Sequence, residues 1–266
     1  MKGPSHLLYS LYERRLVRLL DPERFPHHIG IVLDGHRRYA RESRLLSYTE
    51  SYRAGMARFE DFLEWTGELG IPVITAWVLS RENLTRPESE LASYFDVLIE
   101  LFKRLPEHAA AENLRIRFIG SLDLLPGELF EAAKAAEAAC PDGLRTLNIA
   151  MGYGGRQEIV DAAKDLVSRL AAEGIDAADL AGHIDADTLA RHMYSADLPD
   201  PDLLIRTSGE SRLSGFLLWQ SAYAEFVFVD VYWPAFRRVD FLRALRDFTR
   251  RQRRFGKSAL TSDVRR

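Results

Sequence analysis

Ile29-Gly-Ile-Val-Leu-Asp-Gly-His-Arg-Arg-Tyr-Ala40 is the stretch whose reading decides this chain. An apolar run that ends in Asp34-Gly35 and continues into Arg37 and Arg38 has the pattern of a buried strand running into the first turn of a helix. A carboxylate at that point can ligate a hard cation. Gly35 lets backbone N–H groups approach an anion, and the two arginines supply charge. The same residues also suit an ordinary strand-to-helix turn, with Asp34 as its N-cap and a solvated basic face.

Two further stretches repeat the design. Pro201-Asp-Leu-Leu-Ile-Arg-Thr-Ser-Gly-Glu-Ser-Arg-Leu-Ser-Gly215 releases a short apolar run into a loop where Arg206 and Arg212 flank Thr-Ser-Gly, with Ser214 just beyond. Guanidinium forks, hydroxyls and open backbone donors in one loop are what pyrophosphate recognition requires. Val73-Ile-Thr-Ala-Trp-Val-Leu79 likewise leads into Ser80, Glu82, Asn83 and Arg86. Ligands of open α/β sheets bind outside the carboxyl ends of the strands, so the three loops predict a single cleft. Glu225, ahead of the β-rich run Phe226 to Val231, is a candidate second acidic metal ligand; a surface glutamate at a helix end is the plainer reading.

Strand-like runs at Ile29–Leu33, Val73–Leu79, Leu114–Ile119, Leu144–Met151, Leu203–Ile205 and Phe226–Val231 alternate with helical patterns. They predict one large α/β domain with a central, mostly parallel six-stranded sheet surrounded by helices. The expected organisation is an amino-terminal helix over 1–25, a main α/β domain over 26–257 and a disordered tail over 258–266. With 266 residues and a net charge of −3, the chain can bury a substantial core and lacks the basic face that a nucleic-acid partner needs. A lone Cys140 argues against a disulfide framework or structural zinc and for a reducing, cytoplasmic setting. No run approaches the roughly 20 apolar residues of a membrane span. The amphipathic segment Leu7 to Leu20 is expected to pack on the body or a partner subunit, with a peripheral membrane role as the alternative.

Five ordered blocks resemble the cis-prenyltransferase family, the undecaprenyl diphosphate synthase-like enzymes. They are Asp34-Gly-x-x-Arg38, Tyr52-Arg-Ala-Gly55, Ser80-x-Glu-Asn-x-x-Arg-Pro87, Asn148-x-Ala-x-Gly-Tyr-Gly-Gly-Arg156 and Arg206-Thr-Ser-Gly-Glu-x-Arg-Leu-Ser-Gly215 with its continuation to Glu225. The likeness is closest to the short-chain actinobacterial branch that makes Z-farnesyl diphosphate. It implies that Asp34 binds Mg²⁺, with Glu225 as a further metal ligand. It implies an allylic diphosphate held by Gly35, Arg37 and Arg38, and isopentenyl diphosphate held by Arg206, Arg212 and Ser214. Ser80, Asn83 and Arg86 would serve condensation and primer positioning, with Tyr39, Tyr52 and Glu82 also at the substrates. The resemblance further implies a homodimer whose basic segment Arg250 to Lys257 closes the partner's isopentenyl site.

The chain departs from the family pattern at several of these positions. His36 stands where the family has Asn, Tyr39 where it has Trp, Arg81 within the Ser-Glu-Asn block, and Ser211 where His is frequent. His36 is expected to hydrogen-bond a diphosphate or act as a base, or else to mark an altered, head-to-middle regiochemistry of the lavandulyl type. Val78, bulkier than its long-chain counterparts, favours a short product. Phe95, Leu98 and Phe102 are candidates for a product tunnel and, more simply, for a core stripe.

Overall fold

In a computed structural model of the protein, residues 4–251 are described, with side chains from residue 11 onward. The expected tail over 258–266 and the last part of the basic segment lie outside these residues. Strands β1 (His28–Val32), β2 (Val73–Trp77), β3 (Leu114–Ile119), β4 (Arg145–Ala150), β5 (Leu203–Arg206) and β6 (Glu225–Phe228) form one sheet in the order β3-β4-β2-β1-β5-β6. Every neighbouring pair is parallel, so the expected sheet is present and is wholly parallel. A parallel sheet needs both faces covered, which is why β1 and β2 are buried at every position and carry no polar alternation.

Eight α-helices surround the sheet among the described residues: α1 (Pro4–Leu19), α2 (His36–Glu42), α3 (Tyr48–Glu68), α4 (Glu88–Ala111), α5 (Gly127–Ala139), α6 (Gly155–Ala172), α7 (Ala186–Ala190) and α8 (Arg238–Arg250). Tyr52, Met56, Phe59 and Leu63 recur at helical spacing on α3 and are buried, as are Tyr94, Leu98, Leu101 and Leu105 on α4. With side chains of α5 and α8 they form the main core, which includes Ile29, Ile31 and Ile205. The alternate residues Val32, Trp77 and Leu204 point to the other face, where Phe216 and Leu217 from the loop after β5 cover them. Gly30 belongs to this contact: a Cβ there would lie 2.1 Å from Leu204 Cδ2. Helix α1 packs on α8, burying Leu16 and leaving Leu11 and Leu19 exposed. This is the packing expected for the amino-terminal segment. No helix among the described residues is long and apolar enough to cross a membrane.

The strand order places the site. The chain leaves β1 for β2 on one side and returns, after β4, to β5 on the other. The carboxyl end of β1 is therefore the topological switch point, where connections diverge and leave a crevice.

At the amino half of the sheet a buried polar chain crosses three strands. His28 Nδ1 donates to the Pro199 carbonyl (2.7 Å), which leaves Nε2 to accept from the Thr75 hydroxyl (2.8 Å). Thr75 in turn accepts from Asn148 Nδ2 (3.1 Å). The chain works only with a neutral imidazole, and burial pushes the His28 pKa down to about 4. A folded-state pKa below the unfolded value means that the stabilisation is present above about pH 6.5 and is lost as pH falls toward 4. The expected loss from His28 alone is about 2 kcal/mol by pH 5. Denaturant unfolding of wild type and His28→Gln between pH 7.5 and 5 checks this: the variant is less stable at pH 7.5 and shows a shallower decline. Equal pH slopes in the two proteins would contradict it.

Candidate active site

At the switch point β1 ends in Leu33-Asp34-Gly35. Gly35 has φ +110 and is the N-cap of α2, so Asp34 is not the cap that the turn reading assigned to it. A Cβ on Gly35 would lie 2.7 Å from the Tyr232 ring and 3.1 Å from Ser208 Cβ, so only glycine satisfies both the dihedral and the space. Thr207, fully buried after β5, fastens the turn by accepting from the Asp34 N–H (3.0 Å) and donating to the Asp34 carbonyl (2.8 Å). The Asp34 side chain is thereby free of backbone duty and turns toward β5.

It meets Arg206. Val32 and Arg206 are register partners in β1 and β5, so the guanidinium emerges beside the carboxylate and Nη2 donates to Asp34 Oδ2 at 2.8 Å. Arg206 is buried, and its Nη1 donates to the Arg212 carbonyl (2.5 Å) and to Ser214 Oγ (2.8 Å). Arg38, one helical turn beyond Asp34, lies 3.6 Å from that carboxylate and donates to Ser208 Oγ (2.7 Å) and Glu210 (2.9 Å). Burial raises the Asp34 pKa, but the hydrogen bonds and charges of Arg206, with Ser208 and Arg38, more than offset it and hold the carboxyl below its ordinary value. Asp34 is ionised at neutral pH.

The loop after β2 forms the facing wall. Ser80 Oγ accepts from the Asn83 N–H (3.1 Å), Arg86 donates to Asn83 Oδ1 (2.7 Å), and Glu90 holds both Arg86 (3.4 Å) and Arg37 (3.6 Å). His36, first residue of α2, lies under these groups. Its ring is 5.5 Å from that of Tyr52 and 6.4 Å from that of Tyr94, and it occupies the space over Gly55, where a Cβ would be 2.0 Å from Cε1. Nδ1 donates to the Ser51 carbonyl at 3.3 Å, so Nε2 is an acceptor, buried and without a hydrogen-bond partner among the described residues. Burial pushes the His36 pKa down to about 4, so the ring is neutral. The same burial raises the Tyr52 hydroxyl to about 12.

A cavity of about 1050 Å³ joins these groups. It is lined by Asp34, Gly35, His36, Arg37, Arg38, Tyr52, Ser80, Glu82, Asn83, Arg86, Arg206, Arg212 and Ser214, so the three sequence-predicted loops do share one cleft. Two predicted residues stand apart. Tyr39 is half-buried on α2 and does not line the cavity. Glu225 opens β6, opposite Leu203 at the amino end of β5, and ion-pairs with Arg251 at 2.6 Å. Parallel pairing sends its strand toward the cleft only afterwards, so within this chain Glu225 lies at the wrong end of the sheet to share a cation with Asp34. It is also in a strand, not at a helix end. Of the tunnel candidates, Leu98 and Phe102 are core and Phe95 packs against it, whereas Val78 borders the cleft. Arg81, expected beside the site with a product-binding or a merely solvated role, lines the cavity, which also holds residues that sequence reasoning left without a role: Tyr94, Arg41, Glu210 and the segment Gly154-Gly155-Arg156-Gln157 at the start of α6. The last carried a signal, since Gly-Gly-Arg follows β4 as Asp-Gly follows β1. Tyr94 carried none, being an ordinary buried position on a helix.

Comparison with known proteins bears on this arrangement. The model of the undecaprenyl diphosphate synthase family matches residues 32–256. This chain belongs to that family. It is 49% identical over 250 residues to the (2Z,6E)-farnesyl diphosphate synthase of Thermobifida fusca, covering 94% of this chain and 97% of the relative. It is 46% identical over 260 residues to isoprenyl transferase 1 of Corynebacterium efficiens, covering 97% and 100%. Among solved structures, lavandulyl diphosphate synthase from Lavandula x intermedia, in complex with dimethylallyl diphosphate, superposes with a TM-score of 0.82 at 32% identity, covering 88% of this chain and all of that one. The chain is thus a prenyltransferase enzyme of the cis-prenyltransferase family. Relatives of this kind act on isoprenyl diphosphates.

The Arg206 fork gives a direct test. Arg206→Lys keeps the charge but cannot reach Asp34, the Arg212 carbonyl and Ser214 together, so turnover is expected to fall by about 100-fold and stability by about 1–3 kcal/mol. Steady-state kinetics and thermal unfolding of the purified variant check both. Activity within a few-fold of wild type would show that a point charge suffices.

Proposed function

We propose that the protein condenses an allylic diphosphate, geranyl or dimethylallyl, with isopentenyl diphosphate to give a short-chain Z-prenyl diphosphate such as Z,E-farnesyl diphosphate. The observation that carries this reading is the 2.8 Å contact between Asp34 and Arg206, which makes one cavity of a carboxylate turn and a guanidinium-hydroxyl loop. The cavity lining includes Arg37, Arg38, Arg41, Arg81, Arg86, Arg156, Arg206 and Arg212 against Asp34, Glu82 and Glu210. That excess of fixed positive charge suits two diphosphates side by side.

The residues present fit Mg²⁺. Among the described residues no three acidic, His or Cys side chains converge to form a protein cage, but Asp34 is an ionised carboxylate in a cleft built for diphosphates. One carboxylate with substrate oxygens and water is the usual way proteins hold this ion. Held by Asp34, the ion would neutralise the charge that develops on the departing diphosphate.

The side chains supply the rest. Arg37, Arg38 and the backbone after Gly35 grip the allylic diphosphate, with Ser80, Asn83 and Arg86 on the opposite wall. Arg212 and Ser214, set by Arg206, grip isopentenyl diphosphate. The allylic C–O bond breaks, the alkene of isopentenyl diphosphate attacks the electron-poor carbon, and a proton leaves the neighbouring carbon. To His36, whose neutral ring borders the cleft and whose Nε2 is a buried acceptor without a hydrogen-bond partner among the described residues, we assign removal of that proton or orientation of the second substrate. A carbocation is so strong an acid that a weakly basic imidazole is enough. The low His36 pKa keeps the ring neutral throughout the physiological range.

His36 and the superposition on lavandulyl diphosphate synthase also favour a second reading, head-to-middle coupling in which dimethylallyl diphosphate is the acceptor. Two exposed apolar features support a homodimer and peripheral contact with a membrane. Among the described residues the outer edge of β6 presents exposed Phe228 stacked on Phe226, and α1 leaves Leu11 and Leu19 exposed.

Purified protein supplied with Mg²⁺ and pairs of labelled diphosphates is expected to give Z,E-farnesol after dephosphorylation of the product. A branched lavandulyl skeleton would install the second reading, and a long polyprenol would overturn the short product. Asp34→Ala is expected to lower turnover by several powers of ten, because it removes the cation-binding carboxylate, and to cost about 1–3 kcal/mol of stability, because buried Arg206 loses its ion-pair partner while no core volume is lost. Near-wild-type turnover in that variant would remove Asp34 from the chemistry.

A further inference from the structure

The loop that carries Arg212 and Ser214 is strained. Ser208, Ser214 and Leu217 have φ of 79, 51 and 46, left-handed values that L side chains adopt at a cost, and they lie within ten residues of one another. Such conformations persist only where the surroundings over-determine them. Part of the restraint is Arg206, already described. Another part lies behind the cleft, in a group with no role in the reaction so far.

Glu158 is in the first turn of α6 and is fully buried. Its carboxylate accepts from the Tyr153 hydroxyl (2.5 Å), the Tyr194 backbone N–H (3.0 Å) and Gln220 Nε2 (2.9 Å). Burial raises its pKa and those three donors pull it back; no cation stands among them. A buried carboxylate satisfied by three neutral donors is costly to assemble and has to be matched by what it holds in place. What it holds is the loop. The Tyr153 ring packs edge-on against that of Phe216 (6.1 Å), directly before Leu217, one of the left-handed residues. Gln220 follows directly after that segment, and the Ser221 N–H donates to the Leu217 carbonyl (2.8 Å). On the cleft side the Gly155 N–H donates to the Gly215 carbonyl (2.8 Å), and a Cβ on Gly155 would lie 2.6 Å from that oxygen. The start of α6 and the end of the loop are therefore joined on two sides of one wall.

We infer that Glu158, with Tyr153 and Gln220, is a positioning cluster that holds the left-handed turns at Ser214 and Leu217 and so sets Arg212 and Ser214 for the homoallylic diphosphate. This rests on the proposed assignment of that diphosphate to the 206–218 loop. None of the three side chains needs to touch substrate. Tyr153 and Glu158 do not line the cavity; they stand behind Gly154, Gly155 and Leu218, which do. The allylic side of the cleft, built on α2 and the 80–86 loop, meets the cluster through the Tyr153 backbone, bonded to Leu79 and Arg81, and through the Tyr153 ring against Trp77; both contacts survive loss of the hydroxyl.

Tyr153→Phe deletes the hydroxyl that donates to Glu158 and keeps the ring against Phe216. The expected result is a rise of about tenfold in KM for isopentenyl diphosphate, with KM for the allylic primer within about twofold of wild type. Both constants unchanged, or both raised alike, would overturn the inference. Amide hydrogen exchange needs no substrate: it is expected to accelerate over residues 210–220 in the variant and to stay unchanged in α3. Unaccelerated exchange in the loop would overturn the inference equally. Should the wild-type protein fail to use isopentenyl diphosphate at all, the proposed function falls and the exchange comparison still judges the cluster. If Tyr153→Phe does not fold, Gln220→Met, which removes one donor at similar volume, is read by the same two measurements.

Discussion

The ion pair between Asp34 and Arg206 is the interaction around which the cleft is arranged. A buried guanidinium must place its donors, and Arg206 does so by binding the carboxylate after β1, the carbonyl of Arg212 and the hydroxyl of Ser214 at once. One side chain thereby sets the distance between two anion-binding loops that are 172 residues apart in the chain. A buried ion pair is a poor source of net stability. Its value here is geometric, because it joins a carboxylate suited to a cation to a loop suited to a phosphate and leaves open space between them and α2.

That pair exists because of the sheet order. A parallel sheet aligns the ends of all its strands, and the reversal of winding at β1 and β5 leaves their carboxyl ends uncovered by crossover helices. The in-register placement of Val32 opposite Arg206 then fixes which residues emerge side by side. The same rule keeps Glu225 from the cleft of its own chain: it begins its strand, and the other end of the sheet from the cleft is where a strand begins.

Inside the cleft, polarity is graded. Arginines and backbone donors gather where diphosphates would sit, whereas Trp77, Val78, Tyr94 and Leu218 give an apolar part suited to a hydrocarbon. His36 stands at the boundary, neutral because it is buried, with Nε2 unpartnered among the described residues because Ser51 occupies only its other nitrogen. Strain in the loop from Ser208 to Leu217 is localised at the guanidinium-rich end of the cleft, the kind of place where preorganised donors favour charge stabilisation over flexibility.

The sequence by itself determined the fold class and much of the site's composition. Apolar runs of strand length between amphipathic helices permit little except a covered parallel sheet, and Asp-Gly, Ser-x-Glu-Asn and Arg-Thr-Ser-Gly each sit where such a strand releases its chain. Those are local features, legible because periodicity and turn chemistry act over a few residues. Only the tertiary structure decided that Arg206 grips Asp34, that Glu225 lies away from the cleft while Tyr94 and Arg156 border it, and that His36 is neutral with a free nitrogen. It also decided that Glu158 is buried against Tyr153, Tyr194 and Gln220. The physical reason is common to all of these: strand register, burial and hydrogen-bond partnership are relations between segments far apart in the chain, and a residue's type does not carry them.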